Sequence, residues 1–145
     1  DDRAVMQIIT ADTQAYDDGE TAICFMGHGS DAAANAIYSD FQQRLHRAAY
    51  RNYYIGTVEA DPTLEQLLAL VRTGGNYKRV LLQPLMVVAG DHAHHDMAGE
   101  DDESWKRTFE KAGYEVTCIV KGLGELEGIR NIYVSHVRNC IKQML

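Results

Sequence analysis

Four short β-prone runs, at residues 21–26, 53–58, 79–83 and 114–120, recur at intervals of about thirty residues, and each is followed by a stretch of helical periodicity. That alternation constrains the fold more than any other feature. Successive parallel strands need a crossover of about a dozen residues or more, and a helix fits each gap. Ala22-Ile23-Cys24-Phe25-Met26 and Val80-Leu81-Leu82 are almost wholly apolar, as expected of strands covered on both faces, whereas a sheet with one wet face would alternate. The chain is therefore expected to form a doubly wound α/β domain with a four-stranded, mostly parallel sheet flanked by helices.

The helices have legible ends. Asp61 is placed to cap a helix whose first residue is Pro62, where a missing N–H costs nothing. Leu64, Leu67, Leu68 and Val71 then fall at core spacing, and Gly74-Gly75 stops the run. Residues 35–51 form a second expected helix, with Ile37, Phe41, Leu45 and Ala48 on one stripe. Ser104 precedes a third, which carries Trp105 and Phe109 and ends at Gly113. Residues 127–145 supply the last, with Ile129, Ile132, Val137 and Ile141 inward. Residues 1–18 do not continue the alternation. Val5, Ile8 and Ile9 make a short apolar face before polar residues follow, so this segment reads as a connector helix or linker and residues 19–145 as the domain.

At 145 residues the chain fits one domain, which can bury roughly two-thirds of its surface around one core. Fourteen Lys and Arg against twenty-one Asp and Glu give a net charge of −7. A sequence-independent nucleic-acid binder needs clustered bases to displace phosphate counterions, so nucleic acid is not an expected partner, while cations are compatible. No apolar stretch approaches the roughly 20 residues of a membrane helix, and no membrane is expected either. The first twenty residues hold six acids and one base, the opposite of a signal peptide's start. Cys24, Cys118 and Cys140 are odd in number and lack a C-x-x-C pair, which fits reduced, packed thiols in a cytoplasmic protein.

In open parallel sheets, ligands bind beyond the carboxyl ends of the strands. The first run leads into Gly27-His28-Gly29-Ser30, the second into Glu59, and the third, through Pro84, into Ala89-Gly90-Asp91-His92. Two imidazoles and a carboxylate from three successive strand ends would share one rim. Such side chains ligate first-row metals, and three of them can leave a coordination position open. Taken singly, each has an ordinary reading: Gly-His-Gly as a tight turn, Glu59 as a solvated or capping carboxylate. Residues 84–105 carry six acids and no Lys or Arg. Their run from Glu100 to Glu103 reads either as a solvated face or as a local potential that concentrates divalent cations.

Other motifs are weaker. His92-Ala93-His94-His95-Asp96 contains the H-x-H-x-D pattern of metallo-β-lactamase-like hydrolases, but Met97 stands where another histidine is expected and only His136 lies downstream. Ala32 breaks the dinucleotide fingerprint begun by Gly27 and Gly29. Ser30 lacks an evident base, and His46 and His136 fall within amphipathic helices as ordinary packing or surface residues.

Several stretches resemble the anaerobic cobaltochelatases of cobalamin biosynthesis, which are class II chelatases. They are Phe25-Met26-Gly27-His28-Gly29-Ser30, Asn35-Ala36-Ile37-Tyr38, Gly56-Thr57-Val58-Glu59, Gly122-Leu123-Gly124-Glu125 and, most specifically, the long motif from Pro84 through Gly90-Asp91-His92 to Trp105-Lys106. The resemblance covers roughly residues 20–140 and implies ATP-independent insertion of a divalent metal into sirohydrochlorin. Family members have two similar lobes around a cleft, and this chain resembles the second, with residues 1–18 matching the connector. The resemblance implies that His28 binds metal and accepts protons, and that Glu59 and His92 complete the metal site. The chain departs from the family at Ser30-Asp31-Ala32-Ala33-Ala34-Asn35, at Ala60 in place of a glycine, and at His94 and His95 in place of two asparagines.

Metallation needs a partly dehydrated ion and a base for two pyrrole protons, and imidazole can serve either role near neutral pH. Leu85, Met86, Val87, Val88 and Ala89 then become an apolar wall for the macrocycle or, equally, core packing. Gly90 permits close approach, and Gly27 and Gly29 adjoin the substrate. Co2+ is the expected substrate metal; Fe2+ and Ni2+ suit the same ligands, and no organic cofactor is expected. Sirohydrochlorin is a polycarboxylate, so cationic contacts are expected from a first lobe or from another copy of the chain. The alternative to an enzyme is a non-catalytic module that binds metal or tetrapyrrole.

Overall fold

The computed structural model describes residues 2–144, leaving aside the side chains at positions 2 and 32–34. Asp1 and Leu145, the outer limits of the expected segments, lie outside the described residues, as do the side chains of Ala32, Ala33 and Ala34. Helix α1 (Asp2–Asp12) leads to strand β1 (Thr21–Gly27), helix α2 (Ala32–Arg47), strand β2 (Tyr53–Thr57), helix α3 (Leu64–Gly74) and strand β3 (Arg79–Pro84). A π-helical turn (His92–Met97), helix α4 (Trp105–Lys111), strand β4 (Glu115–Cys118) and helix α5 (Glu127–Met144) follow. The strands lie in the order β2-β1-β3-β4, every neighbouring pair parallel.

Alternate side chains of the central strands feed two cores. Ala22, Cys24, Met26, Val80 and Leu82 pack with Leu67 and Val71 of α3 and with Trp105 and Phe109 of α4. Ile23, Phe25, Leu81 and Ile55 pack on the other face with Phe41 and Leu45 of α2, Ile9 of α1 and Ile129 of α5. Both faces of the sheet are thus dry, which is why the strand sequences lack alternation. Each such buried aliphatic or aromatic side chain stabilises the fold by ~1.5–3 kcal/mol. The doubly wound expectation holds, and the sheet is wholly parallel rather than mostly so. No helix among the described residues is long and apolar enough to cross a membrane.

Several local expectations are corrected. Helix α3 begins at Leu64, with Thr63 as its cap: Gln66 N–H donates to Thr63 Oγ1 (3.2 Å) and Thr63 N–H to Gln66 Oε1 (2.8 Å). This reciprocal capping box outcompetes Asp61 and Pro62, and the Pro62 carbonyl instead accepts from Thr57 N–H at 2.7 Å. Helix α2 stops at Arg47, because Ala49 turns the chain at φ 73° and Tyr50 N–H donates back to Leu45 O (2.9 Å). Its inner stripe is Tyr38, Phe41 and Leu45; Ile37 is 53% exposed and Ala48 is exposed as well. On α5 only Ile129 and, in part, Ile132 face the core. Val137 and Ile141, expected inward, belong to an outward stripe with Tyr133, Val134 and Met144. The core ends before the helix does.

The edge strand β2 is covered by a side chain. Gln42 of α2 donates through Nε2 to the Tyr53 carbonyl (2.6 Å) and accepts through Oε1 from Ile55 N–H (2.7 Å). One amide thereby occupies two ladder positions that would otherwise invite another strand. Helix α1 packs Val5, Met6, Ile8 and Ile9 against the α2/α5 face, and Gly128 permits its approach, since a Cβ there would lie 2.9 Å from the Ile8 side chain.

Candidate metal centre

Parallel pairing continues past the formal strand ends. Val58 N–H donates to Gly27 O (3.0 Å) and Glu59 N–H to His28 O (3.0 Å), so the chain after β1 and the chain after β2 stay side by side for two more residues. Gly29 completes the turn at φ 101°, and a Cβ on it would stand 2.9 Å from Ala60 N. Only glycine allows both that conformation and that approach. Gly27 is required for another reason: it lies against the Tyr38 ring, 2.3 Å from the position of a Cβ. Tyr38 OH also accepts from Gly29 N–H at 3.3 Å, so α2 supports the whole turn from below.

His92 arrives from β3 through an open loop. Gly90 O accepts from Ala93 N–H and His94 N–H at 3.1 Å each, starting the π-helical turn, and Ala93 and Met97 are buried completely. With these two residues fixed in the core, His92 is held on the rim between the ends of β1 and β3. Here the crossovers leave the sheet on opposite faces, so the rim is the topological switch point at which doubly wound folds bind ligands.

The three expected ligands converge. One ligand atom from each of His28, Glu59 and His92 lies within 4.8 Å of the others. His28 Nε2 is 3.6 Å from Glu59 Oε2, His92 Nε2 is 4.0 Å from Glu59 Oε1, and the imidazole centroids are 4.9 Å apart at 72°. The side chains are 51%, 56% and 33% exposed for His28, Glu59 and His92 respectively. A first-row divalent ion fits such a nitrogen and oxygen donor set, with its remaining positions open to solvent or substrate.

One partner went unread in the sequence. Asp96 Oδ2 lies 2.5 Å from His92 Nδ1, while His28 Nδ1 is 3.2 Å from the Gly29 carbonyl. Its only trace was an acid four residues after a histidine, a spacing common on any exposed helix. His94 and His95 are exposed and stand outside the three-residue cluster. The H-x-H-x-D pattern makes no shared ligand set here, because its first histidine and its aspartate bond to each other. His46 instead packs edge-on against Tyr54, its Nε2 2.9 Å from Tyr53 O, and His136 is exposed on α5.

The acidic run divides. Glu100 pairs with Lys106 (3.1 Å) and Arg107 (2.5 Å), which hold its carboxyl below the usual range, Lys106 most strongly. Asp101, Asp102 and Glu103 line a concavity of about 480 Å³ with His95, Asp96 and Ser104. A larger groove of about 650 Å³ lies between α2 and α3, lined by Asn35, Pro62 and Leu70 among others, and includes none of the three converging residues.

The expected apolar wall is only partly a wall. Leu85 leans into the α2/α5 core and Met86 into the α3/α4 core, while Val87 and Val88 are 48% and 72% exposed. Ala89 is half-buried and Gly90 exposed. The loop after β4 clips this segment in place: Leu123 N–H donates to Met86 O (2.6 Å), Gly124 N–H to Val87 O (2.9 Å), and Glu125 Oε2 accepts from Gly122 N–H (2.7 Å).

Comparison with known proteins bears on the fold and the family. The solved structure of a protein described as a cobalamin (vitamin B12) biosynthesis CbiX protein, from Marinobacter aquaeolei VT8, superposes with a TM-score of 0.62 over 85% of this chain and 98% of its own, at 17% identity. That likeness speaks for the fold. The sirohydrochlorin cobaltochelatase of Salmonella typhimurium is 40% identical over 121 residues, and the sirohydrochlorin cobaltochelatase CbiKC of Nitratidesulfovibrio vulgaris is 34% identical over 125. Those alignments cover 82% and 86% of this chain but 44% of each relative, so the chain spans less than half the length of the curated relatives it matches. A family model described as Cobalt chelatase (CbiK) matches residues 1–142. With that match running through nearly its whole length, the chain belongs to the Cobalt chelatase (CbiK) family.

Proposed function

We propose that this chain is the metal-site half, C-terminal in the complete enzyme, of a cytoplasmic sirohydrochlorin cobaltochelatase, which inserts Co2+ into the macrocycle without ATP. The convergence of His28, Glu59 and His92 at the switch point carries this reading. Two named relatives act on sirohydrochlorin and cobalt, and their greater length supplies the rest of the cleft. Residues 1–18 then connect the two lobes. The exposed stripe of α5, from Tyr133 to Met144, is apolar surface on which the complementary lobe would rest.

In this mechanism Co2+ is a substrate, held by two imidazoles and a carboxylate with an open side toward the ring. Two pyrrole N–H bonds break as two metal–nitrogen bonds form. His28, the more exposed imidazole of the pair, does both in turn: its Nε2 releases the ion as the ring nitrogens take it and then accepts these protons one at a time, passing each to solvent, while His92 and Glu59 present the ion and relay protons. Neutral imidazole suits that role because it is a base that stays partly uncharged near pH 7. Val87 and Val88, with Gly90 beside them, offer an apolar face to the macrocycle, and the glycines of the His28 turn let it approach. Fe2+ and Ni2+ fit the same donors, so selection among them lies in supply and geometry.

The test is spectroscopic. Sirohydrochlorin and Co2+ are mixed with this chain, alone and with the complementary half of a cobaltochelatase, and the visible spectrum is followed for the metallated product. Product from the mixture, lost on His28→Ala, supports the proposal. Undiminished turnover by His28→Ala overturns the assignment, and tight binding without product identifies a non-catalytic module.

A further inference from the structure

We infer that Asp96 is a positioning residue that makes His92 the fixed ligand of the metal site, an inference that rests on the metal-site reading above. The two imidazoles are arranged alike but anchored differently. Each directs Nε2 toward a different oxygen of Glu59, at 3.6 Å from His28 and 4.0 Å from His92. Each has Nδ1 beside an oxygen on its far side: the Gly29 carbonyl at 3.2 Å for His28 and the Asp96 carboxylate at 2.5 Å for His92. A neutral imidazole carries one N–H and one lone pair. With Nδ1–H donated to Asp96, the lone pair of His92 must be on Nε2, the nitrogen facing Glu59. The ring orientation is fixed in the same step, and a carboxylate acceptor makes the ligand more basic than a carbonyl does.

The surroundings keep Asp96 available for that task. His95, Asp101, Asp102 and Glu103 share its concavity, so its other neighbours are largely acidic. The bases that follow it are engaged elsewhere: Lys106 and Arg107 on Glu100, Lys111 on Asp102. The π-helical turn fixes the pair from beneath, since Ala93 and Met97, the residues next to His92 and Asp96, are wholly buried. The oxygen beside His28 Nδ1 is the Gly29 carbonyl rather than a carboxylate, so the two histidines of one site are held to different degrees.

The experiment uses this chain with Co2+ alone as the probe. Two-bond 1H–15N correlation spectra of the metal-free protein, at a pH where imidazoles are neutral, report the tautomer of each ring. His92 is expected to carry its proton on Nδ1 in the wild type and to become a mixture in Asp96→Ala, with the spectrum of His28 unchanged as an internal control. Co2+ affinity, read by titration of the visible bands, is expected to fall by about 10- to 100-fold in Asp96→Ala. Asp96→Asn, whose side-chain oxygen can still accept from Nδ1–H, is expected to recover much of that loss. Wild-type affinity in Asp96→Ala, or a wild-type His92 protonated on Nε2, overturns the inference. His92→Ala separates the two levels: if it binds Co2+ normally, the metal-site reading itself fails, and if it loses Co2+ while Asp96→Ala does not, only the role of Asp96 fails. Should Asp96→Ala not fold, the wild-type tautomer and Asp96→Asn still decide the question.

Discussion

Gly122 lies so close to Val87 that a Cβ built on it would stand 2.4 Å from the Val87 carbonyl oxygen, with Ala89 N at 2.8 Å and Val88 Cα at 2.9 Å. Every one of these neighbours is backbone, so a side chain at Gly122 has no flexible group to push aside. The loop from Gly122 to Glu125 is therefore pressed directly beneath the segment that leads from β3 to His92. Gly122→Ala should lower stability by ~1–3 kcal/mol, as overpacking commonly does. It should also shift the amide resonances of Val87, Val88 and Ala89 more than those of β1. A variant with wild-type stability and an unchanged spectrum at those three residues would remove the clip from the account of the site.

Parallel order and burial on both faces were readable because the central strands are unbroken apolar runs, and nothing but two covering layers explains them. His28 and Glu59 were readable for a related reason: when two parallel strands end in register, the residues that follow must be neighbours. Asp96 was not. Its partnership with His92 depends on a π-helical turn fixed by the burial of Ala93 and Met97, and no local pattern distinguishes that turn from an ordinary exposed helix. The start of α3 was misread because Pro62 is a strong single-residue signal, while the capping box of Thr63 and Gln66 is a paired one. The outer stripe of α5 shows a different limit. Periodicity tells which residues share a face, and it cannot tell how far along the helix the core extends.

Burial sets the alkaline behaviour of the fold. Cys24 is enclosed within β1, and its thiol is pushed well above the ordinary value of 9.0. Cys118, half-buried on β4, is pushed up to about 11 by the same cause. Below pH 9 the folded and unfolded chains hold these protons alike, so the two thiols add no slope. Above it the unfolded chain releases them first and the folded chain retains them, so stability falls as pH rises from 9 through about 11. Burial raises Tyr53 and Tyr54 as well, and they act with the same sign. Urea midpoints measured across this range should decline, and Cys118→Ala should decline less steeply. A midpoint that stays level to pH 11 would contradict the burial of both thiols.

Helix α5 separates two accounts of the chain's surface. If Val137 faced the core, as its spacing from Ile129 and Ile132 suggests, Val137→Asp would place an unpaired charge among apolar groups and unfold the domain. The structure leaves Val137 59% exposed and Ile129 4% exposed, so the expected order is reversed. Ile129→Ala should cost ~2–5 kcal/mol, whereas Val137→Asp should change stability by about 0.5 kcal/mol or less, since Val and Asp have similar helix propensities. Thermal unfolding of the two variants checks that order. The same Val137→Asp protein then tests what the stripe is for. If the complementary lobe rests on it, capture of that lobe should weaken while Co2+ binding by this chain is retained, because the charge sits on α5, which supplies none of the three residues proposed to hold the metal.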